Sequence, residues 1–118
     1  MGLSLAGHLS RFSPIVSFDE QLGVLRLTGD EDRTTSGRRR RPLSAAFKAT
    51  RDVIVDMSDL RFADPSVMID LACLAQRLRA SGQSISLLHP QPHIRKLIEL
   101  VGLDRLPSVL VVAPASAA

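Results

Sequence analysis

Between Arg51 and Val112, short β-branched runs take turns with amphipathic stretches, and this alternation restricts the chain more than any other feature. Val53-Ile54-Val55 is a continuous apolar run, as expected of a strand buried on both faces of a mostly parallel sheet. Asp64-Pro65-Ser66 then opens a helix, with Asp64 as a good N-cap and Pro65 at the first helical position, where a missing N–H costs nothing. Val67, Leu71, Leu74 and Leu78 recur at i, i+4, i+7 and i+11, and Gly82 stops the helix. Ile85 to Leu88 reads as another strand, Pro90 and Pro92 as the turn after it, and Ile94, Leu97, Ile98 and Val101 as one face of a second helix ended by Gly102. Val109 to Val112 is a last strand. Strand, helix, strand, helix, strand implies right-handed crossovers and an α/β domain.

Upstream, Ile15–Phe18 and Val24–Thr28 alternate apolar and polar residues around Asp19-Glu20-Gln21-Leu22-Gly23, a hairpin pattern. Gly29-Asp30-Glu31-Asp32 breaks it, and the basic segment Arg33–Arg41 reads as a loop. Pro42 suits the first turn of a short helix reaching about Thr50, with Leu43, Ala46 and Phe47 on one face. A chain of 118 residues has the size of one domain. We place it at 13–112, between a loose arm at 1–12 and a small-residue, disordered tail at 113–118.

With four Phe and no Trp or Tyr, the core must be aliphatic. A single cysteine, Cys73, rules out an intrachain disulfide, and its place between apolar neighbours predicts a half-buried, inert thiol. Three scattered histidines, His8, His89 and His93, make no metal site, and no cofactor is expected. His93, on the polar side of its helix, reads as a solvated residue. No leader-like segment or membrane-length apolar run is present and the myristoylation pattern is missed, so a soluble, cytoplasmic setting is the expectation.

Ligands and partners of open α/β sheets gather at the carboxyl ends of strands and at the helix starts that follow. That directs attention to Asp56–Met68, which holds Asp56, Asp59, Asp64 and Ser66. Two local readings stay open. Asp64 and Ser66 can be an ordinary cap and first-turn residue, or Ser66 can carry a phosphoryl group, welcomed by the helix dipole and repelled by Asp64. A serine hydrolase is disfavoured, because no Gly-x-Ser-x-Gly elbow surrounds Ser66 and His89 and His93 lie in or beside a Pro-rich turn. The dispersed glycines provide no phosphate-cradling loop. The consecutive Arg38, Arg39, Arg40 and Arg41 are compatible with an acidic protein surface or nucleic acid, but a solvated loop is the expectation; as a partner, without aromatic interleaving, acidic protein is the better candidate.

The segment RDVIVDMSDLRFADPSVMIDLACLAQRLRASGQSISLLHPQPHIRKLIELVGLDRL resembles a STAS domain, and LRLTGDED is similar to that family's strand and Gly-Glu-Leu-Asp turn, placing Asp32 on the turn aspartate. Asp56, Phe62, Asp64, Ser66, Gly82, Gly102, Leu103 and Leu106 fall on pattern positions. The resemblance implies an α/β, STAS-like single domain with a mixed, mostly parallel sheet of four to five strands and three to four helices. It puts Ser66 on the second serine of Asp-Ser-Ser-Gly, the regulatory phosphoacceptor of anti-sigma factor antagonists, and Asp64 on the aspartate before it.

The implied function is non-catalytic. The unmodified domain sequesters an anti-sigma factor of the serine kinase type, phosphorylation at Ser66 releases it, and a serine phosphatase resets the switch. Asp30, Asp32, Asp64, Pro65, Ser66, Val67 and Asp70 are the expected partner-binding residues, and a homo-oligomer is compatible with this role. Pro65 stands where the first serine is usual, Val67 in place of the glycine and Met68 in place of the leucine; Val67 is expected to put a branched side chain beside the acceptor. The alternatives are an unphosphorylated docking subunit of a stressosome or transporter assembly and a small basic nucleic-acid-binding protein.

Overall fold

The computed structural model describes residues 16–113; the expected N-terminal arm, and the tail beyond Ala113, lie outside the described residues. Strands β1 (Val16–Asp19), β2 (Val24–Glu31), β3 (Val53–Ala63), β4 (Ile85–Leu88) and β5 (Val109–Val112) form one sheet in chain order. β1 and β2 pair antiparallel and the remaining neighbours pair parallel. Three α-helices, α1 (Ser36–Phe47), α2 (Pro65–Ala80) and α3 (Pro92–Val101), complete the architecture, with 3₁₀ turns at Arg33–Thr35 and Leu103–Arg105. This is the mixed, mostly parallel α/β sheet expected from the sequence.

Register decides what the sheet buries. Leu25 pairs with Val55, and Val55 with Leu87, so these side chains share one face, and all are withdrawn from solvent. Val67, Leu71, Leu74 and Leu78 of α2 and Ile94 and Ile98 of α3 join the same cluster. The other face is open: Arg26 pairs with Asp56 at 3.3 Å, and Ile54 is 36% exposed. The expectation of a strand buried on both faces is therefore corrected. The helices cover one face of this sheet, so Ile54 and Asp56, between buried Val53, Val55 and Met57, turn to the other face.

Two segments are longer than their local patterns suggested. β2 continues through Gly29–Glu31, because β3 extends to Ala63 and pairs Asp30 with Phe62 and Glu31 with Ala63 after register shifts. α1 begins at Ser36, not at Pro42, which sits inside the helix. Arginine is a good helix former, and the chain is turned into the helix by a capping box in which Asp32 accepts from the Thr35 backbone and the Thr35 hydroxyl accepts from the Asp32 N–H. The hairpin closes at Gly23, whose φ of 71° and close approach to the Asp52 carbonyl exclude a side chain.

Candidate functional site

Ser66 occupies the first turn of α2, directly after β3 and next to the carboxyl end of β2. The junction is held by backbone, since the Asp64 N–H donates to the Glu31 carbonyl at 3.2 Å. Asp64 caps the helix as the sequence indicated. Its Oδ1 accepts the Ser66 N–H at 2.9 Å and the Ser66 hydroxyl, and its Oδ2 accepts the Arg33 N–H at 3.1 Å. These donors, the Ser66 hydroxyl first, hold the Asp64 carboxyl below the usual carboxylate range. Asp32 is lowered in the same way, chiefly by the Thr34 hydroxyl and then by the Thr34 and Thr35 N–H groups.

Behind this rim stands Arg39, the second residue of the arginine run, only 2% exposed. Its Nη1 donates to Glu31 Oε1 and to the Asp32 carbonyl, both at 2.9 Å, and contacts Thr35 Oγ1 at 3.2 Å. Its Nε donates to Asp70 Oδ2 at 2.9 Å, and its Nη2 reaches Ser66 Oγ at 3.4 Å. Burial disfavours its charge, but the Glu31 and Asp70 carboxylates outweigh that and raise its pKa further. Glu31 is fully buried, and its second oxygen faces Arg38 Nη2 at 3.8 Å.

The expected solvated loop of four arginines is thus corrected to a helix that splits them. Arg39 turns inward, Arg40 lines a groove against α2, and Arg41 lines another near β1. Neither Glu31 nor Arg39 stood out as a site residue in the sequence. A signal existed for both: Arg39 precedes Leu43 and Ala46 by four and seven residues, and Glu31 shares even spacing with Leu25 and Leu27.

Among the expected partner-binding residues, Asp32, Asp64, Ser66 and Asp70 converge on this network. Asp30 is exposed beside them, 3.8 Å from Arg61, and Pro65 is exposed at the helix start. Val67 is different. It is 1% exposed and packs in the core, so its branched side chain does not stand beside the acceptor at the surface. The apolar surface near Ser66 comes instead from Phe62 and Ile69, 49% and 62% exposed. Ile69 also lines a groove of about 280 Å³ with Pro65, Met68, Ala72, Val101 and Leu106.

Cys73, expected half-buried, is exposed, because the position falls outside the apolar stripe of α2. His93 is exposed, as expected of a residue on the polar side of its helix, and its ring also pairs with the Arg61 carbonyl. The Ser66 hydroxyl partners are Asp64 and Arg39, with no histidine among them in the described residues. Among those residues no cluster suits a metal ion, and no helix is long and apolar enough to cross a membrane.

Comparison with known proteins agrees with this fold. The chain is similar to the anti-sigma factor antagonist SpoIIAA in its unphosphorylated form, with 27% identity, a TM-score of 0.62, and coverage of 80% of this chain and 82% of that one. The phosphorylated form of SpoIIAA, a Bacillus cell fate determinant, matches at 26% identity and a TM-score of 0.55 over 80% of this chain and 85% of that one. A Thermotoga maritima protein described as a candidate anti-sigma factor antagonist shares the fold at 15% identity and a TM-score of 0.61, covering 86% of each chain. No curated protein matches. A family model described as "Mlab, STAS domain" matches residues 16–112, nearly the whole described region, and the chain therefore belongs to the STAS domain family.

Proposed function

We propose that the protein is a non-catalytic anti-sigma factor antagonist acting in the cytoplasm, which binds an anti-sigma factor of the serine kinase type and is switched by phosphorylation at Ser66. The observation that carries the reading is the placement of the Ser66 hydroxyl. It lies half-buried at a helix start, oriented by Asp64, with exposed Ile69 three residues on along the helix and exposed Phe62 four residues before it on β3. An apolar patch with a polar centre suits a reversible protein interface.

In the transfer, Ser66 Oγ would bond to the γ-phosphorus of ATP as the bond to the ADP oxygen breaks. The hydroxyl proton passes toward Asp64, its hydrogen-bond acceptor. The added charge of about −1.5 to −2 at the centre of the contact would then desolvate poorly and release the partner. A serine phosphatase would restore the hydroxyl. SpoIIAA, similar to this chain, exists in both phosphorylated and unphosphorylated forms, which supports the switch.

Incubation with the cognate kinase and ATP, followed by mass spectrometry, tests the modification, and pull-down with wild type, Ser66→Ala and Ser66→Asp tests the consequence. The expected result is phosphate on Ser66, retained binding by the alanine variant and lost binding by the aspartate variant. An unmodified Ser66 in a chain that binds the kinase well removes the switch.

A second reading, an unphosphorylated docking subunit of a stressosome or transporter assembly, is favoured by one feature. The Ser66 hydroxyl and N–H are already bonded to Asp64, so the helix start is capped without a phosphate. Equal partner binding by wild type and Ser66→Ala, with no kinase retained, would support it.

A further inference from the structure

Arg39 joins three elements: it projects from α1, holds Glu31 at the end of β2 and holds Asp70 on α2. Its nitrogens are unequally engaged. Nη1 and Nε each meet a carboxylate at 2.9 Å, whereas Nη2 meets only Ser66 Oγ among the described residues, at 3.4 Å. That is long for a guanidinium bond, and Nη2 carries two N–H groups, so donor capacity is left over beside the Ser66 hydroxyl. A phosphoryl group on Oγ would bring three acceptor oxygens to this spot, where charge-assisted bonds close to about 2.7–2.9 Å.

We propose that Arg39 is the internal ligand of a phosphoryl group on Ser66, and that by turning to it Arg39 loosens its hold on Asp70 and so couples the modification to the seating of α1 against α2. The inference rests on Ser66 being the phosphoacceptor of the proposed function.

The surrounding charges select Arg39. The groups facing Ser66 from the adjoining elements are Asp64 before α2, Asp70 one turn along α2, Glu31 at the end of β2 and Asp32 just after it, all acidic. Arg38 is directed at Glu31, and the Arg33 side chain is exposed. A dianion there is repelled on most sides and attracted by the helix start and by Arg39.

Burial decides which existing bond yields. The Glu31 side chain is 0% exposed and cannot exchange Arg39 for water, whereas that of Asp70 is 34% exposed and can turn outward. Phosphorylation therefore keeps the tie between α1 and the sheet and weakens the tie between α1 and α2. The arginine run gains a role through its one inward member.

The test installs phosphoserine at position 66 of the full chain during synthesis, so no kinase is needed. In ¹⁵N-arginine-labelled protein, the Arg39 Nε and Nη signals should move on modification. In ³¹P titrations, Arg39→Gln should raise the second pKa of the phosphoserine by roughly one unit, whereas Arg39→Lys, which keeps a cation, should raise it less. Unmoved Arg39 signals overturn the proposal, as does a titration unchanged by Arg39→Gln. If Arg39→Gln fails to fold, the guanidinium signals of the wild-type chain decide alone. A kinase that leaves Ser66 untouched refutes the proposed switch without touching this result, and silent Arg39 signals refute the internal ligand without touching the switch.

Discussion

Arg39 Nη1 donates to Glu31 Oε1 across 2.9 Å, with side-chain exposures of 3% and 0%. The pair binds α1 to the end of β2 and thereby fixes the floor under Ser66. Breaking a buried pair from one side leaves an uncompensated charge, which costs more than the pair itself contributes. Arg39→Ala should therefore destabilise the fold by about 3–5 kcal/mol in urea denaturation. The double change Glu31→Leu with Arg39→Met should lose much less, because Asp70, left without its partner, is 34% exposed and can turn to water; an equal loss would show that the pair matters for its shape alone.

The caps at Asp32 and Asp64 make the fold acid-sensitive. Both carboxyls titrate below their ordinary value in the folded state, held there chiefly by the Thr34 and Ser66 hydroxyls respectively. A lowered folded pKa contributes stability that is present above the unfolded value and lost as pH falls through the folded one. Denaturation midpoints should decline below about pH 4, and Asp64→Asn should flatten that decline. At neutral pH, Asp64→Ala should cost about 0.5–2 kcal/mol through the lost helix cap.

Pro42 lies inside α1 and offers no N–H to the Arg38 carbonyl. Replacing it restores one helical hydrogen bond and removes the ring from a crowded turn. Pro42→Ala should stabilise the protein by about 1–3 kcal/mol, visible as a higher melting temperature. A loss of stability would show that the proline's stiffening of the unfolded chain outweighs its cost in the helix.

Ile69 is 62% exposed on the helix that begins beside Ser66. As an apolar anchor of the proposed interface, it should carry binding energy and little folding energy. Ile69→Asp should weaken binding of the anti-sigma factor at least tenfold, equivalent to about 1.4 kcal/mol, while moving the melting temperature little. Undiminished binding in a calorimetric titration would place the interface elsewhere on the domain.

At several positions neighbouring residues alone determined the outcome. The cap at Asp64, the stripe Val67, Leu71, Leu74 and Leu78, the stop at Gly102 and the apolar run of β5 each specify an element from neighbouring residues, and each is found in place. The pattern shared by Asp56, Asp64, Ser66 and Gly102 likewise points to the STAS family. What tertiary structure decided was everything that depends on a partner distant in the chain. β2 runs on to Glu31 only because β3 pairs with it that far, and the sheet is one-sided because the helices pack against one face. Arg39 is buried inside a run that reads as solvated because Glu31, eight residues earlier, and Asp70, 31 residues later, meet its guanidinium. An arginine leaves water only where carboxylates await it, and no local pattern announces that meeting.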